Sequence, residues 1–531
     1  MKTFTIRILG ILVLLVMADC QSRSAQGQST QPRKPNIVFF FADDFGFHAI
    51  SANGNKRVQT PNIDAIASEG VRFKQSYVTA PICCASRAGL LTGRYQQRFG
   101  SENHLIYPDR TAYIGDRGKD YEDFLLGRGI NPDSLVVQGI PKSEINIAQL
   151  LKTQGYKTAI IGKWHAGFYD GYRPHQRGFD YAWGWYGGSS LYYVDEDNPE
   201  FVTYRNPEGE YDHYTASNGK YQWQRDSIAT AIFVNGKITD EKEYQTYAIA
   251  REAIKFIEEN KDEPFFLYVP FGAIHTPLQA PKKHYDKLSH IKDEQQRFLL
   301  AMLLAKDEAI GRIQQKLRDV GVYDNTIFVF SGDNGSVWHN EGFDKSAPDG
   351  TYYAPNPDIN LNYPLKGGKL THYEGGIRTP LLISWKGKIQ PGTVYEYPVS
   401  TLDLFPTFAN AAGAPLPPGR KYDGVDLLPY LTGEKKERPH EVLFWRNGVV
   451  KTVRHGDYKL LINDADKTTF LYDIANDPSE TNDLSTQLPE KVAELTQLFK
   501  SWEAELPPQQ RWNSPRLATI TVNGEKVSFQ P

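Results

Sequence analysis

The 531-residue chain holds three cysteines, Cys20, Cys83 and Cys84, too few to staple a protein of this size with disulfides, so its stability has to come from a buried core. Nor is one sign of charge in excess. Lysines and arginines number 60 against 63 aspartates and glutamates, and the net charge of -3 gives no support to nucleic-acid binding. Long apolar runs are missing too: residues 8–17 form a run too short for an ordinary membrane-spanning helix. With Lys2 and Arg7 ahead of it, and Val16 and Ala18 fitting a cleavage site, that run reads as a secretory signal over residues 1–18. A polar Ser/Gln-rich tether follows over residues 19–34. Cys20 raises a lipid anchor as a secondary option, although Asp19 is a poor residue in front of a lipoprotein cysteine. The expectation is an exported chain, periplasmic or secreted, with no stable membrane span.

What the sequence does have is aromatic side chains, 13% of residues with 31 tyrosines and 9 tryptophans, which suit either sugar-stacking surfaces or large aromatic cores. The length calls for more than one simple core. Residues 36–41 (Asn-Ile-Val-Phe-Phe-Phe) are continuously apolar, the mark of a strand buried on both faces of a parallel sheet. They lead to Asp43 and Asp44. Adjacent carboxylates repel unless a cation or base is near, and a hard divalent ion resolves this, with plain turn chemistry as the alternative.

The same arrangement recurs. Residues 156–162 form a second such strand leading to Lys163 and His165, and residues 264–270 a third leading to His275. Residues 325–330 form a fourth, leading to Asp333 and Asn334. A further strand is expected over 71–78, and helices over 60–67, 145–154, 244–259 and 297–320. This alternation predicts an α/β layered fold. Each polar cluster follows the carboxyl end of a strand, the edge at which open α/β sheets bind ligands. A lone histidine there is ordinarily structural; four clusters on one edge are a different matter.

Two further segments carry chemistry. Residues 365–369 and 373–378 are glycine-rich and cationic, with Lys369 as a point charge and glycines that let backbone approach a ligand. Residues 81–94 read as a loop entering a helix. Cys83 lies just before the helix N-terminus, where N–H groups and the dipole favour an anion, and Arg87 is placed to turn its fork toward the same oxygens. Taken alone, a cysteine in that setting suggests an activated thiolate and a cysteine hydrolase, or else a Cys-Cys pair that merely packs a helix.

Cys83-Cys84-Ala85-Ser86-Arg87, followed by Leu91-Thr92-Gly93-Arg94, resembles the sulfatase signature Cys-x-(Pro/Ala)-x-Arg with its downstream Leu-Thr-Gly-Arg. In that family the first cysteine is oxidised after synthesis to formylglycine, whose hydrated aldehyde is the nucleophile. The resemblance puts this conversion at Cys83, leaves Cys84 at the variable position, and implies a formylglycine-generating or anaerobic maturation enzyme as a partner. Ala85, where proline is commoner, bears on which maturation enzyme accepts the chain. The match runs over residues 35–431. Asp43, Asp44, Asp333 and Asn334 fall on the family's quartet for one Ca2+ ion, which the residue at Cys83 also faces. Lys163 and His165 fall on its Gly-Lys-Trp-His element, His275 on the histidine after the Phe-Phe-Leu-Tyr strand, and Lys369 on its Gly-Gly-Lys-x-x-x-x-Glu-Gly-Gly element.

The resemblance implies an alkaline-phosphatase-like fold: a large mixed, mostly parallel sheet between helices over residues 35–432, and a small C-terminal α+β subdomain over 433–531. The latter is expected to hold short antiparallel strands at 441–445, 449–454, 459–462 and 470–473 and a helix at 489–502. The implied activity is hydrolysis of sulfate monoesters on a sulfated polysaccharide or its oligosaccharides. Lys163, Lys369 and Arg87 would supply positive charge, His275 with Lys369 would protonate the leaving alcohol, and His165 would serve as the base for sulfate release. A phosphate or phosphonate monoester hydrolase of the same superfamily and a non-catalytic glycan-binding protein are the competing readings. Two long polar insertions, 102–137 and 184–239, depart from a minimal pattern. The second, with Trp183, Trp185, Tyr186, Tyr192, Tyr193, Tyr204 and Tyr221, is expected to wall a carbohydrate subsite.

Overall fold

The strand Asn36–Ala42 (β1) buries all seven of its side chains, and their period of two divides them between two layers. Val38, Phe40 and Ala42 pack toward the helices Gln245–Asn260 and Glu294–Asp319. Ile37, Phe39 and Phe41 pack toward the helices Cys83–Thr92 and Leu404–Ala412. The structure is a computed structural model that describes residues 33–103, 105, 138–195, 198–205, 230–337, 361–507, 517–522 and 525–530. The signal, most of the tether including Cys20, most of the 102–137 insertion and Tyr221 lie outside the described residues.

β1 is central in a ten-stranded mixed sheet. Beside it run Lys157–Lys163 (β2), Phe265–Phe271 (β3) and Thr326–Gly332 (β4), all parallel, in the order β4, β1, β3, β2, and then Tyr181–Trp185, also parallel. Antiparallel pairings flank this parallel centre on both sides. Register fixes what matters for function: Ala42 is level with Gly332 on one neighbour and with Phe271 on the other. The turns after β1, β3 and β4 therefore leave the sheet at one height. The large mixed, mostly parallel sheet between helices is the architecture implied by the sequence.

Element boundaries shift where caps and breaks act. The helix Glu294–Asp319 starts ahead of residue 297 because the Asp293 side chain accepts from the Gln296 N–H at 2.8 Å. The stretch 71–78 divides into Val71–Phe73, in the large sheet, and Ser76–Tyr77, which pairs with Val399–Ser400.

The aromatic insertion differs from expectation. Trp183 and Trp185 belong to the strand Tyr181–Trp185 of the large sheet, and with Tyr186, Tyr192 and Tyr193 they are buried. Lys163 lies beside Trp185, and the turn after β2 is tied to the same strand end, Trp164 N donating to Trp185 O at 3.0 Å and His165 N to Tyr186 O at 3.1 Å. These rings are core that braces the functional edge, not an open wall for a sugar.

The C-terminal strands Val442–Asn447, Val450–His455, Tyr458–Asn463 and Thr468–Asp473 form an antiparallel sheet in chain order. The helix Pro489–Glu503 covers it through Leu495, Phe499 and Trp502 against Val453, Leu460 and Leu471. This sheet docks on the glycine-rich segment by a buried charge cluster. Lys459 Nζ lies 3.0 Å from Glu374 Oε1 and 2.8 Å from Glu480 Oε1, and Glu374 N donates to Glu480 Oε2 at 2.7 Å. Two buried carboxylates share one ammonium, so one of them favours its proton. Burial, with Glu374's charge adding to it, pushes Glu480 up to about 7.

An acid whose pKa is raised by folding holds a proton that the unfolded chain releases, so its contribution is greatest below the unfolded pKa, about 4.3, and is lost as pH climbs toward the folded value. Glu480→Gln should remove that slope. Thermal melts at about pH 5 and about pH 8 should show wild type losing Tm relative to the variant as pH rises; parallel behaviour of the two would contradict it.

Candidate active site

The turns after β1 and β4 bring Asp43, Asp44, Asp333 and Asn334 together, and the first turn of the helix Cys83–Thr92 meets them. Ligand atoms of Asp43, Asp44, Cys83 and Asp333 all lie within 4.8 Å of one another, fully buried. Backbone holds the two turns in contact: Phe45 N donates to Asn334 O at 2.8 Å and Asp333 N to Ala42 O at 3.0 Å. Local backbone conformation is costly here. Asp44 and His165 have φ of 50° and 48°, and Leu370, next to Lys369, has φ of 75°, which side-chain-bearing residues seldom adopt away from functional sites.

Each carboxylate has one oxygen against a cation. Lys163 Nζ stands 2.6 Å from Asp43 Oδ2, Lys369 Nζ 2.8 Å from Asp44 Oδ2, and Arg87 Nη2 2.7 Å from Asp333 Oδ2. The second oxygens turn to other tasks. Asp44 Oδ1 accepts from Asn334 Nδ2 at 2.8 Å, and Asp333 Oδ1 from the Asp44 N–H at 3.1 Å. Asp43 Oδ1 and Asn334 Oδ1 are buried acceptors with no hydrogen-bond donor among the described residues. Buried oxygen atoms of this kind are normally satisfied, and a hard cation satisfies several at once. The donor set therefore fits such an ion.

Arg87 departs from expectation. Its fork does not turn toward an open anion: Nε and Nη2 both donate to Asp333 Oδ2, and Nη1 donates to Lys163 O at 3.0 Å. Arg87 therefore fixes one carboxylate and the end of β2. The glycines differ too. They serve backbone packed on backbone: a Cβ on Gly335 would meet Gly375 O at 1.7 Å. Gly335 N donates to Gly376 O, Lys369 N to Ser336 O and Leu370 N to Pro81 O, which holds Lys369 between the Asn334 turn and the Cys83 loop.

Electrostatics separate the groups. Burial would raise Asp44, but Lys369, His275 and Lys163 outweigh it and hold the carboxyl far below its usual range. Burial pushes Asp333 up to about 6, with Asp43 adding to it. His275 is pushed down to about 3, by burial first and then by Lys369. Its Nδ1 lies 2.7 Å from Thr276 O, and since a carbonyl can only accept, Nδ1 carries the hydrogen. Nε2, 3.7 Å from Asp44 Oδ2, is thus the nitrogen that takes up the second proton when the ring is charged. His165 is buried two residues beyond Lys163. Cys83 is the first residue of its helix, and burial pushes its thiol well above the usual cysteine range, with Asp333 and Asp43 adding to burial against Lys163 and Lys369. Without a cation in the cradle, this environment disfavours an activated thiolate at position 83.

The sequence reading missed Tyr192 and Lys306 as supports of this edge. Tyr192 Oη donates to His275 O at 2.9 Å. Lys306 carried a readable signal, a charged residue at a helical spacing otherwise filled by Met302, Leu303, Ile310 and Ile313.

Comparison with known proteins agrees with this geometry. A family model described as sulfatase matches residues 35–414, and one described as N-sulphoglucosamine sulphohydrolase, C-terminal, matches 368–505. The chain is 33% identical to arylsulfatase G of Rattus norvegicus over 469 residues, 82% of this chain and 77% of the relative. It is 28% identical to N-acetylgalactosamine-6-O-sulfatase of Bacteroides thetaiotaomicron over 535 residues, 92% of this chain and 97% of the relative. Among solved structures, Ps i-CgsB in complex with k-i-k-neocarrahexaose aligns with a TM-score of 0.71 at 30% identity, covering 90% of this chain and 95% of the other.

Burial and a raised pKa should make position 83 inert as a thiol. Protein carrying unconverted cysteine should leave Cys83 and Cys84, the latter pushed up to about 11, unalkylated by iodoacetamide at neutral pH until denatured. Rapid alkylation of the native protein would contradict this account of the site.

Proposed function

The chain belongs to the sulfatase family and is a sulfuric ester hydrolase, and on that premise we propose that it removes sulfate from a sulfated polysaccharide or its oligosaccharides. The observation that carries the reading is the cradle itself: three carboxylates and an amide, with two buried oxygens that have no hydrogen-bond donor among the described residues, face residue 83 amid three cations. An all-oxygen set from carboxylates and an amide suits a hard ion, and Ca2+ is the assignment. Asp43, Asp44, Asp333 and Asn334 would hold it, where it would supply Lewis-acid polarisation of sulfate oxygens.

Position 83 is the nucleophile in this reading. Formylglycine made from Cys83 by a maturation enzyme would supply one hydroxyl for attack on sulfur and a second for breakdown, the chemistry a buried thiol lacks. Lys163 and Lys369 bind and neutralise the ester oxygens, and removing one such donor typically costs about 10²–10³ in rate. Arg87 keeps Asp333 oriented. His275 stands neutral in the free site. An anionic ester bound against Lys369 offsets that lysine's charge and raises the proton affinity of Nε2, from which the leaving oxygen takes its proton. His165 serves as the base for release.

The glycan assignment draws its support from relatives whose names specify N-acetylgalactosamine 6-O-sulfate chemistry and from the neocarrahexaose complex. Residues 1–18 are proposed as the export signal and 19–34 as the tether, with the catalytic region over 35–432 and its C-terminal subdomain over 433–531. No helix among the described residues is long and apolar enough to cross a membrane.

Cys83→Ala should abolish release of sulfate from N-acetylgalactosamine 6-sulfate or carrageenan oligosaccharides, while Cys84→Ala keeps most of it. Mass spectrometry of the residue-83 peptide from active wild type should show the mass loss of cysteine-to-formylglycine conversion. Activity surviving in Cys83→Ala, or an unconverted peptide in fully active enzyme, would sink the reading.

A further inference from the structure

Lys306 lies on the inner face of the helix Glu294–Asp319 and is fully buried. Its Nζ donates to Ala273 O at 3.1 Å and sits 3.6 Å from the centre of the Phe45 ring. Among the described residues no carboxylate lies within 4.0 Å of it. Methionine would fill the same space without desolvating an amine; burial weighs against the charged amine, and Asp43, Asp307 and Asp333 favour it only from beyond contact distance. Its return has to be sought in the carbonyl it holds.

That carbonyl belongs to the turn that carries His275. The turn leaves β3 and is pinned residue by residue: His275 N donates to Gly272 O at 2.8 Å, Ile274 N to Asp43 O at 3.1 Å, and Ala273 O receives Lys306. Tyr192 Oη supplies the tie to His275 O at 2.9 Å. Asp43 is itself in the cradle, so the turn is locked to the carboxylates by backbone and to the helix layer by Lys306. The Lys306 hydrogen bond forms with either protonation state of the amine. The Phe45 face, which follows Asp44 directly, gives the amine a second contact on the cradle side.

We propose that Lys306, together with Tyr192, is a positioning residue that holds the His275 turn so that Nε2 meets the leaving oxygen. The inference rests on the role proposed above for His275. A misplaced proton donor has a specific signature: it matters most when the leaving group is a poor one, since an acidic phenol departs without help. A side chain that only maintains the fold affects good and poor leaving groups alike.

The experiment compares kcat for 4-nitrophenyl sulfate and phenyl sulfate, esters of similar shape and different leaving-group acidity, in Lys306→Met, Tyr192→Phe and His275→Ala, with a thermal melt for each. In both positioning variants kcat should fall by about 10²-fold for phenyl sulfate, the scale of a misplacement near 1 Å, and by about threefold or less for 4-nitrophenyl sulfate. His275→Ala should show the same split, larger. Equal losses on both esters, or a collapse of folding in Lys306→Met with no split in Tyr192→Phe, overturn the proposal while a split in His275→Ala leaves the donor role standing. No split in His275→Ala removes that role and this inference together.

Discussion

Three buried carboxylates within reach of one another are the constraint around which this molecule is arranged. Asp43, Asp44 and Asp333 would repel strongly in a water-poor interior, and leaving one such charge without its partner costs about 3–5 kcal/mol. The fold answers with Lys163, Lys369 and Arg87, drawn from β2, the glycine-rich segment and the helix that opens at Cys83. Formally the six charges cancel. A divalent ion held there would leave the site positive, the condition that favours an anionic ester at a buried site.

Meeting that constraint takes segments far apart in sequence, and the sheet is what assembles them. Parallel pairing puts the ends of β1, β3 and β4 level, so the turns that follow emerge side by side. The C-terminal sheet contributes at a distance: Lys459 and Glu480 grip Glu374, five residues beyond Lys369. The buried aromatic strand end after Trp183 performs a like service for the Lys163–His165 turn.

Much of this was legible in the chain. Unbroken apolar runs marked β1 to β4 because both their faces are buried, and the polar residues just beyond each run announced the functional edge. Other features were not. Arg87 looked like an anion binder because its spacing from Cys83 fits that role, whereas the buried Asp333 beside it, 246 residues away in sequence, claims its fork. Trp185 and Tyr192 looked like a sugar platform because composition cannot tell an exposed ring from one packed beneath a turn. Lys306 broke the apolar spacing of its helix, but that pattern does not say what a buried lysine touches.

The central claim is that Asp43, Asp44, Asp333 and Asn334 together hold one hard cation facing residue 83. Metal analysis of the purified mature enzyme after exhaustive dialysis tests it most directly. One calcium per chain in wild type, lost in Asp43→Asn with the fold intact, is the predicted result. A fully active wild type with no stoichiometric divalent metal, or an unchanged calcium content in Asp43→Asn, would contradict it.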